Sequence, residues 1–125
     1  MNKEKVGLAI LRFGLATLFL WFGFSQLFDG KDWVSWVPQW AVQLIHLPPA
    51  MIVLLNGALE VVGGALLAMD LLVAPVALIL ALHLLVIAVE IGITAIGVRD
   101  FGLMCATFAL MFLSSKPKTP KTPEA

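Results

Sequence analysis

The sequence predicts an all-α fold: a four-helix transmembrane bundle with a short, tryptophan-rich interfacial helix between the first and second spans. Three observations predict it. The chain of 125 residues is 61% hydrophobic and 13% charged, with a mean hydropathy of +1.00, where an ordinary soluble domain has roughly 25% charged residues. Its apolar residues gather into four runs separated by turn-forming or polar residues at Asp29-Gly30, Pro48-Pro49, Asp70 and Arg99-Asp100. Inside those runs stand Arg12, Glu60, His83 and Glu90. A charge in hydrocarbon costs roughly 2.5–3.5 kcal/mol on insertion scales, so such groups are tolerable only where they face one another or a wet cavity inside a bundle.

The first span is expected over about 6–28, ended by Asp29-Gly30, a turn signal. The second is expected over about 50–69, because Pro48-Pro49 forbid an earlier helical start. The third runs over about 72–98, with Pro75 in the first turn, where a missing N–H does little harm. The fourth is expected over 100–114 with Asp100 as its N-cap, which makes it short against the roughly 20 residues that a crossing needs. Between the first two spans, Trp33, Trp36 and Trp40 recur at i, i+3 and i+7 among Lys31, Asp32, Gln39, Gln43 and His46. Tryptophans collect at the headgroup boundary because the ring is apolar while its N–H wants a partner. A short helix over about 38–47 is expected to lie along the membrane surface there, either as an anchor and lid or as the aromatic mouth of a lipophilic site.

Residues 1–115 thus read as one membrane domain, and 116–125 (KPKTPKTPEA) as a basic, proline-interrupted tail too polar to pack. Four crossings put both termini on one side. Five basic residues (Lys3, Lys5, Lys116, Lys118 and Lys121) sit near that side, against Lys31 and Arg99 on the other, so the positive-inside rule places the termini in the cytoplasm of a multi-pass cell-membrane protein. The apolar run of residues 6–28 is too long for the h-region of a cleavable leader, and it lacks a small-x-small cleavage site. The formal net charge is zero and no basic stripe exists, which argues against nucleic-acid binding. Membrane lipids and other membrane subunits are the expected partners. A single cysteine, Cys105, excludes an internal disulfide or a CxxC redox pair.

Helical spacing groups the polar residues on one face of each span. Arg12, Phe19, Gly23 and Gln26 share a stripe, as do Asn56, Glu60, Gly63 and Gly64, and His83 and Glu90 with Thr94 and Gly97. Gly102, Cys105, Ala106 and Ala109 form a small-residue seam of the kind that lets helices approach. At about 1.5 Å rise per residue, Arg12 lies roughly 10 Å inside one boundary while Glu60 and His83 lie near the middle. An extended arginine can cover that difference. Two polar tiers are therefore expected: Arg12, Glu60 and His83 at the centre, with Gln26, Asn56, Glu90 and Arg99 farther out.

Two readings of these tiers stand side by side. In one, the pairs and amides secure helix packing and register, as buried ion pairs do without adding net stability. In the other, Arg12, Asn56, Glu60, His83 and Glu90 bind a polar head group or relay protons, since titratable groups at mid-membrane are the usual parts of such sites. Gln26, Trp33, Trp36, Trp40, Arg99 and Asp100 are then candidates for its outer mouth. A metal or haem site is disfavoured, because the other histidine, His46, falls at the outer surface and no ExxH spacing occurs. No Ser–His–Asp set, phosphate loop or nucleotide motif marks a catalytic residue, so the chain does not read as an enzyme on its own; a small lipid-binding or transport protein is the remaining alternative.

Several pieces in order resemble a known family: LRFGLATLFLWFGFSQLFDGKDWVSWVPQW, then LPPAMIVLLNGALEVVGGALLAMD with its Gly57-x-x-Glu60-x-x-Gly63-Gly64 pattern, then VRDFGLMCATFAL with Arg99-Asp100-x-Gly102-Leu103. Together they resemble the DoxX-like integral membrane proteins, related to the DoxD-type membrane subunit of thiosulfate:quinone oxidoreductase. The resemblance implies a four-helix membrane protein working as an accessory subunit of a redox-associated complex, with a quinone as the possible cofactor. Relatives often carry a lysine near the end of the first helix where this chain has Gln26, which weakens any anion-binding role implied for that position.

Overall fold

The computed structural model describes residues 2–115. The tail assigned to 116–125 lies outside the described residues. Five α-helices follow in order: α1 (Lys3–Phe28), α2 (Gln39–Ile45), α3 (Pro49–Ala68), α4 (Val73–Ile91) and α5 (Ala95–Ser114). Two 3-10 turns, Gly30–Asp32 and Val34–Trp36, join α1 to α2. No strand occurs among the described residues. α1, α3, α4 and α5 are long and apolar enough to cross a membrane, and the short helix between the first two spans is present as α2.

Local signals explain most boundaries. Asn2 caps α1 by accepting the Glu4 N–H at 2.9 Å, a standard remedy for the orphan donors of a first turn. Pro38 precedes α2, and His46 ends it in the left-handed region at φ 60°. Pro49 occupies the first turn of α3, where a fixed φ favours initiation.

The boundary between the last two spans differs from the expectation. α4 stops at Ile91, not Val98. Gly92 takes φ 76° and ψ −156°, and α5 starts at Ala95 behind Thr94, whose side chain accepts the Gly97 N–H at 3.0 Å. The apolar run Ile91–Val98 hides this break, because hydropathy does not register a glycine C-cap followed by a threonine N-cap. Asp100 is therefore no N-cap but lies inside α5, which is 20 residues long and of spanning length.

The four long helices form two tight antiparallel pairs, α1 with α3 and α4 with α5, which approach each other less closely. Glycine makes the first pair possible. A Cβ on Gly23 would sit 2.8 Å from Val61 N and 2.9 Å from Gly57 O, and one on Gly57 would sit 2.9 Å from Gly23 O. Any side chain there pushes backbone against backbone. The small-residue seam expected on α5 is not used within the chain: Gly102, Cys105 and Ala109 are exposed, and α5 buries Gly97, Asp100, Met104, Thr107 and Leu110 instead. Larger side chains on that face fill the space against α4 and the core.

The interior is not uniform along the bundle axis. The half nearer Lys3 and Ser114 holds a continuous apolar core of Leu15, Ala16, Phe19, Leu67, Val73, Ala77, Leu80, Leu84, Met104 and Leu110. The half nearer α2 is hollow.

Candidate functional site

The hollow is a cavity of about 620 Å³ between the two helix pairs, bordered by α1, α3, α4, α5 and the α2 segment. Its walls are apolar, with Leu18, Phe19 and Phe22 from α1, Ile52 and Val53 from α3, Leu84 and Ile87 from α4, and Ile96 and Leu103 from α5. Apolar lining with a few convergent polar groups is the usual make-up of a small-molecule site.

Those polar groups gather where the cavity meets the solid core. Glu60, near the middle of α3, is 4% exposed. Its Oε2 accepts Nε2–H of Gln26 at 2.8 Å, and its Oε1 lies 3.3 Å from Nε2 of His83 on α4. Asn56, one turn before Glu60, donates its Nδ2–H to Gln26 Oε1 at 2.6 Å. The chain Asn56–Gln26–Glu60–His83 thus ties α1, α3 and α4 together across the gap between the pairs. Two of the three contacts in this chain end on the Glu60 carboxyl group, which makes it the centre.

Above this floor, Arg99 and Asp100 of α5 border the cavity. Arg99 Nη2 lies 3.3 Å from Asp100 Oδ1, and its Cζ is 5.6 Å from the Phe22 ring centroid. At the open end the α2 segment folds across. Trp33 donates its indole N–H to Ser25 Oγ at 3.1 Å and packs edge-on against Phe22, while Trp40 donates its own to Glu90 Oε2 at 2.8 Å. Trp36, Asp29 and Asp32 complete the rim. No group of three metal-binding side chains occurs among the described residues.

The structure brings ten of the candidate residues to this one cavity: Gln26, Asn56, Glu60, His83, Glu90, Trp33, Trp36, Trp40, Arg99 and Asp100. Arg12 is not among them, and the expected Arg12–Glu60 pairing is corrected. Arg12 Nη1 donates to Leu67 O at 2.7 Å and to Ala68 O at 3.1 Å, and its Nε lies 3.7 Å from Asp70 Oδ1. The last carbonyls of a helix lack intrahelical donors. Arg12 meets those of α3 at its own level, and has no need to extend toward the centre. Gln26 takes the place beside Glu60 instead, so the two expected tiers are regrouped. Sequence reasoning passed over Phe22, Asp29 and Asp32. Phe22 falls between Phe19 and Gln26 at helical spacing, a signal present in the chain, whereas the two aspartates reach the rim only through the turns after α1.

The DoxX family model matches residues 7–93. The chain belongs to the DoxX family. The matched stretch carries the Gln26–Asn56–Glu60–His83 floor and all three rim tryptophans, whereas Arg99 and Asp100 fall outside it. No curated protein and no solved structure matches the chain.

Proposed function

We propose that this DoxX protein is an integral membrane subunit of a redox-associated complex, and that its cavity receives the head group of a quinone-class ligand. The observation that carries the reading is the cavity itself: apolar walls leading from a tryptophan rim to a buried floor of Glu60, His83, Gln26 and Asn56. A ring with polar substituents and an apolar tail fits that gradient, and about 620 Å³ lies within the usual range for small-molecule pockets, roughly 300–1,000 Å³. The lysine distribution supports termini in the cytoplasm, which turns the rim toward the opposite face. Protein partners then meet the lipid-facing helices or the α2 segment.

A second reading has its own observation. No fully sealed side-chain polar atom among the described residues lacks a partner, so the sealed atoms of the floor are satisfied without an occupant and the chain serves as an interhelical tie. Purification in a mild uncharged detergent, followed by identification of bound quinones and lipids and of co-purifying chains, separates the two. A quinone-class molecule retained by the wild type and lost from His83→Ala with the fold intact supports the ligand site. Loss of thermal stability with no specific molecule in either protein supports the tie.

A further inference from the structure

Hydrogen bonds at the cavity floor have a direction, and the direction specifies what an occupant must offer. A carboxylate oxygen only accepts, so Gln26 turns Nε2 toward Glu60 and leaves its Oε1 to receive Asn56 Nδ2. Asn56 Oδ1 is then the spare end of the chain. His83 approaches Glu60 through Nε2 at 3.3 Å; in the neutral tautomer that donates there, Nδ1 is an acceptor. Gln26 and His83 turn a nitrogen toward Glu60, Asn56 donates to Gln26, and the acceptors left over are Asn56 Oδ1 and His83 Nδ1.

Asp100 repeats the pattern. It is 7% exposed, and only its Oδ1 is approached by Arg99, at 3.3–3.4 Å. Its Oδ2 has no hydrogen-bond partner among the described residues, yet it is not a sealed, unpartnered atom. The cavity is the open space that this side chain borders. The charges bordering the cavity lean the same way. Asp29, Asp32, Glu60, Glu90 and Asp100 line it with one guanidinium among the described residues, Arg99, whose Nε and Nη2 turn to Asp100 Oδ1 and whose Cζ lies over the Phe22 ring. The donors that remain at the floor are the second amide hydrogens of Gln26 and Asn56.

We propose that the cavity selects a ligand presenting hydroxyl donors, and so holds the reduced, dihydroxy form of a quinone-class molecule in preference to the oxidised dicarbonyl form. This rests on the quinone-class reading and adds a redox-state preference to it. Ring hydroxyls can donate to Asn56 Oδ1, His83 Nδ1 or Asp100 Oδ2. Ring carbonyls in the same places set acceptor against acceptor inside a low-dielectric site, where a mispaired polar group is costly.

The test is calorimetric titration of the full chain in an uncharged detergent with three ligands on one ring: a decyl-substituted hydroquinone under anaerobic reducing conditions, the corresponding quinone, and the hydroquinone dimethyl ether. The ether keeps the ring and both oxygens but has no donor. The expected result is hydroquinone binding about tenfold or more tighter than either of the others. The preference should shrink in Glu60→Gln, whose amide can donate to a carbonyl, with a thermal melt confirming that the variant is folded. Equal or tighter binding of quinone or ether overturns the preference while leaving the quinone-class site standing. Absence of saturable binding by all three overturns both.

Discussion

The two halves of the bundle use buried polarity in opposite ways. In the half nearer Lys3 and Ser114, the interior is apolar, and Arg12 beside it is directed onto the terminal carbonyls of α3 and onto Asp70. In the half nearer α2, the interior is hollow, and its polar side chains come from four helices to border a common space. Arg12 completes a helix end; Glu60, Gln26, Asn56 and His83 complete a surface that an occupant can touch. An ionisable residue inside a span is therefore not by itself a site. What separates the two cases is whether backbone or cavity lies opposite.

Four substitutions can break or sharpen that comparison. The largest effect is expected at the seam that both halves share. Gly23→Ala places a Cβ against the backbone of α3 and should destabilise the protein by about 3 kcal/mol, the upper range for overpacking, read as a lower midpoint in denaturant titration of the micellar protein. Next comes Arg12→Ala, which removes the donor to two α3 carbonyls and should cost about 1–3 kcal/mol in the same titration while leaving cavity binding unchanged. A binding loss there would erase the distinction between the halves.

Glu60→Gln should be milder in stability, within about 1 kcal/mol of wild type, because glutamine still accepts from Gln26 or His83 through one oxygen. Its hydroquinone affinity, measured by titration calorimetry, should nevertheless fall about tenfold. The smallest effect is expected at Trp40→Phe, which keeps an aromatic ring but loses the exposed bond to Glu90. That bond should contribute about 0.5–1 kcal/mol, and its loss should speed ligand association in stopped-flow traces by freeing the α2 segment from α4. Unchanged association would mean that this segment does not limit access.

Much of this architecture is legible in the chain because hydropathy and helical spacing are strong signals over spans of this length. Gln26, Asn56 and Glu60 share a cavity because each lies on the inward stripe of its helix, and spacing alone reveals that. The partner of Arg12 was not legible. Depth arithmetic allowed a reach to Glu60, but the nearer carbonyls of α3 are backbone groups that no residue pattern displays. The break at Gly92–Thr94 escaped for a related reason: flanking isoleucines and alanines keep the run apolar across it, and only the two caps mark it. The exposed Gly102–Cys105–Ala109 stripe shows that small residues permit close approach without requiring it.

The most direct test sets the two halves against each other in one experiment: paired melting and hydroquinone-binding curves for wild type, Arg12→Ala and Glu60→Gln in the same detergent. Arg12→Ala should melt at a lower temperature and bind like the wild type, whereas Glu60→Gln should melt close to the wild type and bind weakly. If affinity instead falls in step with melting temperature in both variants, the hollow half is a packing device like its neighbour, and the account of a ligand site is contradicted.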